Sequence, residues 1–130
     1  VIMILCDTNV LIEFYKNNPR ITADMRQIGL RNLAVCVITV AELYYGALNK
    51  AELRKIKAHL ALMHQIPVTR DISLRFLELM ETYALSHKPG IPDMLIAATA
   101  LDHDLSLFTL NVKDFRYIPE LNIYEETATS

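Results

Sequence analysis

Short apolar runs alternate along this chain with longer segments of helical periodicity. Residues 2–6 (IMILC) and 33–38 (LAVCVI) are continuous apolar runs, the pattern of strands buried on both faces. Residues 66–69 (IPVT) suggest a third strand, weakened by Pro67, which has no N–H to give to a ladder. Residues 106–110 (SLFTL) predict a fourth, and 122–126 (NIYEE) an edge strand. Helices are predicted over 9–16 and from a Thr22 cap to about Arg31. Thr39-Val40-Ala41-Glu42 has the form of a capping box opening a helix to about Gly46 or Leu48. Asn49 with Glu52 repeats that pattern and starts a long helix to about His64, with Ile56, Leu60 and Met63 on one face. Asp71 suits the cap of a helix carrying Leu74, Leu77, Met80 and Leu85. Residues 86–92 (SHKPGIP) are the clearest loop, and Pro92 fits the first turn of a helix through DMLIAATALDHD.

Strands separated by helical crossovers predict an α/β fold, with a mostly parallel central sheet of four to five strands and helices on both faces. No repeat, low-complexity segment or linker divides the 130 residues, so a single domain over 1–130 is expected, with a polar tail from about 125.

Composition narrows the function. Hydrophobic residues make up 52% and charged residues 22%, a globular balance far from that of disordered chains. No apolar run approaches the roughly 20 residues that span a bilayer. The start, VIMILCDTNV, lacks a basic region and meets an aspartate early, so a cytoplasmic location is expected. Two cysteines, Cys6 and Cys36, make neither a disulfide framework nor a zinc knuckle and read as small strand hydrophobes. A net charge of −2 excludes a generally basic nucleic-acid binder; any RNA contact must rely on local cations or bound metal.

The candidate chemistry lies in four acids. Asp7 directly follows the first strand, Glu42 is read in the first turn after the second, Asp93 in the first turn of a helix, and Asp114 just beyond the fourth strand. In a parallel sheet these positions share one edge, where open α/β sheets hold their ligands. Convergent carboxylates repel and need a compensating charge. A divalent cation with carboxylate and water ligands supplies it and suits phosphodiester hydrolysis. Each acid also has a purely structural role open to it: a cap at Asp7, the third capping-box position at Glu42, the helix dipole at Asp93 and a surface turn at Asp114.

The four segments also carry a resemblance. MILCDTNVLIEF, ITVAELYYGAL, GIPDMLIAATAL and LFTLNVKDF, in this order, resemble the four motifs of PIN-domain nucleases across nearly the whole chain. The compact length and AELYYGA resemble the VapC group, the toxin half of toxin–antitoxin pairs. The resemblance implies a single PIN-like domain and a Mg²⁺- or Mn²⁺-dependent endoribonuclease acting on RNA. It also implies a homodimer and a VapB-like antitoxin whose C-terminal segment lies across the active-site groove. By motif, Asp7, Glu42 and Asp93 would be the catalytic, metal-binding acids. Asn9 would orient Asp7 or the scissile phosphate, and Thr109 and Asn111 would line the pocket. Asp114, the only acid near the fourth motif, would be a further catalytic or metal residue, or stay outside the site.

Two other functions remain open on the residues alone. A haloacid-dehalogenase-type phosphohydrolase also places an aspartate after its first strand, but it wants a second aspartate where this chain has Asn9. A non-catalytic interaction module on the same fold is the other. Lys50, Arg54 and Lys57 share a helix face that reads as solvated, with an RNA-tracking role as the alternative, and Lys113 and Arg116, beside the fourth motif, either meet substrate phosphates or are solvated turn residues. Tyr44 and Tyr45 read as core or interface residues. The four histidines match no zinc pattern, and no Gly-rich phosphate loop is present.

Overall fold

The computed structural model describes residues 3–125 and shows one parallel four-stranded sheet between two layers of helices. In chain order the elements are β1 (Ile4–Cys6), α1 (Thr8–Tyr15), α2 (Pro19–Ile28), β2 (Leu33–Cys36), α3 (Val37–Tyr45), α4 (Lys50–Leu60), β3 (His64–Ile66), α5 (Arg70–Tyr83), α6 (Ile91–Asp102) and β4 (Ser106–Phe108). The strands run in the order β3-β2-β1-β4, and every pairing is parallel. The chain leaves β1 towards β2 on one side and returns as β4 on the other. The C-terminal ends of β1 and β4 therefore form the point where strand order reverses.

Successive strand residues feed opposite cores, as the pleat requires. Leu5, Ala34, Cys36 and Leu107 face α5 and α6, where they meet Ile72, Met94, Ala97 and Phe115. Ile4, Cys6, Leu33, Val35 and Phe108 face the opposite layer, where they meet Val10, Leu11, Met25, Leu43 and Leu60. Helix α6 is apolar on nearly every face and correspondingly buried, with Met94 and Ala97 fully covered. Both cysteines are buried and free, and burial, with the Asp7 charge beside it, pushes the Cys6 thiol up to about 12. Neither is a nucleophile; both are packing.

The fold matches the α/β expectation, but several boundaries move. Helix α2 starts at Pro19 under Asn18, whose side-chain oxygen accepts the N–H groups of Arg20 and Ile21, so Thr22 lies inside the helix and does not cap it. Likewise Thr69, not Asp71, caps α5 by accepting the Ile72 N–H at 3.2 Å. The Thr39 capping box does not form. The apolar run 33–38 splits after Cys36, and α3 has begun by Val37, which leaves Glu42 in the second turn. Val37-Ile38-Thr39 is β-branched and reads locally as strand, but tertiary packing overrides that preference. Helix α4 stops at Leu60, and β3 occupies 64–66, ahead of Pro67, so the strand expected at 66–69 is displaced. Strand β4 ends at Phe108, short of residue 110, and the expected edge strand is reduced to one parallel bridge between Leu107 and Ile123. Ile2 and nearly all of the polar tail expected from about 125 lie outside the described residues.

The cap reassignment is testable by urea denaturation. Asn18→Ala is expected to cost about 1 kcal/mol, and Thr22→Ala less than about 0.5 kcal/mol. The reverse order would restore Thr22 as the cap.

Candidate active site

Asp7 emerges from β1 at the strand-order reversal, 4% exposed. Its backbone N–H donates to the Phe108 carbonyl at 2.9 Å, which fixes the strand end against β4. As N-cap of α1, its Oδ1 accepts the Thr8 N–H at 2.7 Å. Its Oδ2 accepts the Thr109 hydroxyl at 2.8 Å across the β1–β4 junction. Thr109 Oγ1 in turn accepts the Asn111 N–H at 3.0 Å. Both carboxylate oxygens are thus oriented, and the structural role of Asp7 as a cap and its placement at the sheet edge are the same fact.

Glu42 reaches the edge from α3. Its Oε1 accepts the Thr8 hydroxyl at 2.7 Å, and Thr8 Oγ1 lies 3.1 Å from the hydroxyl of the buried Thr39. Thr8 therefore couples the first two acids: its N–H holds Asp7 and its hydroxyl holds Glu42. Thr8 has no role of its own in the sequence pattern; it is the residue directly after the strand-end aspartate in MILCDTNVLIEF.

Asp93 sits in the first turn of α6, half-buried, and Asp114 lies in the 3-10 turn Val112–Asp114 that follows β4. Both line a recess of about 200 Å³, together with His87, Lys88, Gly90, Lys113 and Tyr117. Gly90 packs closely there: a Cβ at this position would lie 3.2 Å from an Asp93 carboxylate oxygen, so the carboxylate would have to shift. Asn9 turns its carbonyl to the Leu110 N–H at 3.3 Å, tying α1 to the chain leaving β4. Asn111 is exposed and contributes its N–H to Thr109.

The four acids feel one another's charge. Burial, opposed by the Thr109 and Thr8 hydrogen bonds and aided by Glu42 and Asp114, raises the Asp7 pKa above the usual carboxylate value. Burial, followed by the charges of Asp7, Asp114 and Glu42, pushes Asp93 up to about 6. Among the described residues no lysine or arginine forms an ion pair with any of the four. Nor do any three Asp, Glu, His or Cys side chains among the described residues form a ready-made metal cage. The acids line one edge without closing on each other. That is the arrangement expected of mutually repelling carboxylates. It also fits a hard cation that keeps several waters and takes only one or two carboxylates directly. Asp7 and Asp93, the two carboxyls whose pKa is raised by burial and neighbouring charge, are residues that could hold such an ion.

A larger cavity, about 760 Å³, lies between α1, α3 and α4. It is lined mostly by apolar side chains, including Ile12, Leu43, Leu48 and Ile56, and of the four acids only Glu42 borders it. Size does not locate the chemistry here, because two of the acids, Asp93 and Asp114, line the smaller recess.

The comparisons with known proteins agree with this fold. The family model described as PIN domain matches residues 4–121. Ribonuclease VapC10 of Mycobacterium tuberculosis is 37% identical over 123 residues, 92% of this chain and 90% of that protein. Ribonuclease VapC1 of Haemophilus influenzae is 33% identical over 124 residues, 90% of this chain and 92% of that protein. The solved structure of VapBC-1 from nontypeable Haemophilus influenzae superposes with a TM-score of 0.83 at 29% identity, covering 97% of this chain and 99% of that one.

A carboxyl whose pKa is raised on folding binds its proton more tightly in the native state. Asp93 therefore favours folding below its unfolded value near 4, and loses that contribution as pH rises to about 6. Unfolding in EDTA is expected to show stability rising as pH falls from 7 towards 5. Asp93→Asn should gain about 1 kcal/mol at pH 7, allowing for the group's partial exposure. A destabilised variant would contradict the uncompensated-charge account.

Proposed function

The chain belongs to the PIN-domain family, and we infer that it is a divalent-metal-dependent endoribonuclease, the toxin of a VapBC-type toxin–antitoxin pair. One observation carries the reading. Four acids from separate parts of the chain share the edge at the β1–β4 reversal, and no cationic side chain among the described residues pairs with them. A fold accepts that electrostatic cost when the charge is used. The haloacid-dehalogenase alternative lacks its second aspartate, because Asn9 holds that position and uses its carbonyl on Leu110. The non-catalytic alternative leaves the uncompensated carboxylates without a role.

We assign the metal to Asp7 and Asp93, with Glu42 and Asp114 acting directly or through water, and the ion to Mg²⁺ or Mn²⁺ by the oxygen-only donor set. When bound, the ion neutralises phosphoryl charge and makes a coordinated water more acidic. The protein's own part is orientation. Thr109 and the Thr8 N–H hold the two Asp7 oxygens, Thr8 Oγ1 holds Glu42, and Asn111 fixes the Thr109 hydroxyl through its N–H. Asn9 keeps the β4 exit loop against α1, so its role is to shape the pocket wall.

A toxin-antitoxin complex from Klebsiella pneumoniae is a further structural neighbour, 31% identical and covering 93% of this chain, and we extend that pairing to this chain. The apolar cavity between α1, α3 and α4 adjoins the acidic edge at Glu42 and is the surface along which a VapB-like segment would run. A homodimer is part of the same reading. Leu74, Leu77 and Leu62, at 50%, 59% and 62% exposure, leave apolar surface to cover. Among the described residues no helix is long and apolar enough to cross a membrane, and we place the protein with its RNA substrate in the cytoplasm.

Purified protein is expected to cut RNA with Mg²⁺ or Mn²⁺ present and to stop in EDTA. Asp7→Asn should lose at least about 100-fold in rate, and Thr109→Val roughly 10–100-fold. Gel-resolved cleavage that survives Asp7→Asn would overturn the assignment.

A further inference from the structure

Beside the acids, the chain builds an aromatic wall that none of the four motifs contains, flanked by Lys88 and by Lys113 of the fourth motif. The last turn of α5 continues into the loop, where the His87 N–H donates to the Tyr83 carbonyl at 2.9 Å. The His87 ring lies nearly parallel to Tyr117, with centroids 4.0 Å apart and planes at 13°. Tyr83 meets both rings edge-on, at 5.5 Å from His87 and 4.9 Å from Tyr117. Ser86 Oγ lies 2.7 Å from His87 Nδ1. Two tyrosine rings and a hydroxyl thus fix the plane of the imidazole. Tyr117 covers one of its faces. Because His87 as a whole is exposed, the other face meets solvent.

The next residue, Lys88, has φ +48°, a left-handed conformation that lysine rarely adopts, and it does so directly before Pro89. Strain of this kind persists where the surroundings over-determine it, often at ligand clamps. Lys88 and Lys113 border the same recess as Asp93 and Asp114, and neither lysine forms an ion pair with those acids. Both ammonium groups therefore remain available to an anion.

We propose that this recess is the nucleotide subsite next to the cut: one unpaired base of the RNA stacks on the outer face of His87, and Lys88 and Lys113 take the adjoining backbone phosphate. The proposal deepens the ribonuclease reading and rests on it. A fixed, exposed ring accepts any base by its π-face, and flanking cations track the backbone without reading sequence. In a chain of net charge −2, such local cations are what can attract the polyanion. The subsite favours single-stranded RNA, since only an unstacked base can reach the ring.

The chain has no tryptophan, so His87→Trp introduces a single indole at the platform, excited selectively beyond the tyrosine absorption. In an Asp7→Asn background, which prevents cutting, titration with a short single-stranded oligoribonucleotide is expected to quench that indole saturably. Adding Lys88→Gln and Lys113→Gln should weaken binding about ten-fold or more and flatten its salt dependence. In kinetics, His87→Ala should raise KM for RNA about ten-fold with kcat within about two-fold, and His87→Phe should restore KM. Absence of quenching, or an unchanged KM in His87→Ala, overturns the subsite. If the wild type cuts no RNA yet the indole is quenched, the nuclease reading fails and the RNA-binding subsite stands.

Discussion

The structure turns on how Asp7 is held. A carboxylate leaving the end of a central strand and 4% exposed is costly unless its oxygens are satisfied. Here the Thr8 N–H and the Thr109 hydroxyl satisfy one oxygen each, at 2.7 and 2.8 Å. The second bond joins residues 102 positions apart in sequence, so it forms only once β4 has docked beside β1. The parallel β1–β4 pairing, the turn after β4 and the start of α1 are consequently fixed by the same interaction that aims the acid.

Around that anchor the protein gathers charge of one sign. Glu42 is tied back to Asp7 through Thr8, and Asp93 and Asp114 share a recess with Gly90, where a larger residue would crowd Asp93. Burial and mutual repulsion lift both Asp7 and Asp93 above ordinary carboxylate values. Two well-packed cores, one on each sheet face, carry this cost, since the hydrophobic contribution from residues such as Leu5, Leu11, Leu60 and Phe108 is spread over the whole domain. Stability comes from the layers, and the edge is left free for chemistry.

Much of this was legible in the sequence because the strongest signals are periodic or punctuating. The buried strands within IMILC and LAVCVI, at Ile4–Cys6 and Leu33–Cys36, the Pro92 helix start and the position of Asp7 at the end of β1 lay where local pattern put them. Competing local chemistries caused the displacements. Thr22 and Asp71 are good cap residues, but Asn18 and Thr69 stand nearer the true helix starts and took the role. Val37-Ile38 reads as strand, yet both residues wind into α3 ahead of Thr39, which is buried with its hydroxyl beside Thr8. Thr8 as the link between two acids, and the His87–Tyr117 stack, could not be read from the sequence. Each joins residues about 30 positions apart through side-chain contacts that leave no periodic trace.

The central claim is that these carboxylates share one edge in order to hold a divalent cation. The most direct measurement is a crystal structure of the protein soaked in Mn²⁺ at neutral pH, with the ion located by its anomalous scattering. The account predicts a peak bordered by the carboxylates of Asp7 and Asp93, with water completing its coordination. A saturated crystal with no peak at that edge, or with Mn²⁺ bound only elsewhere, would contradict it.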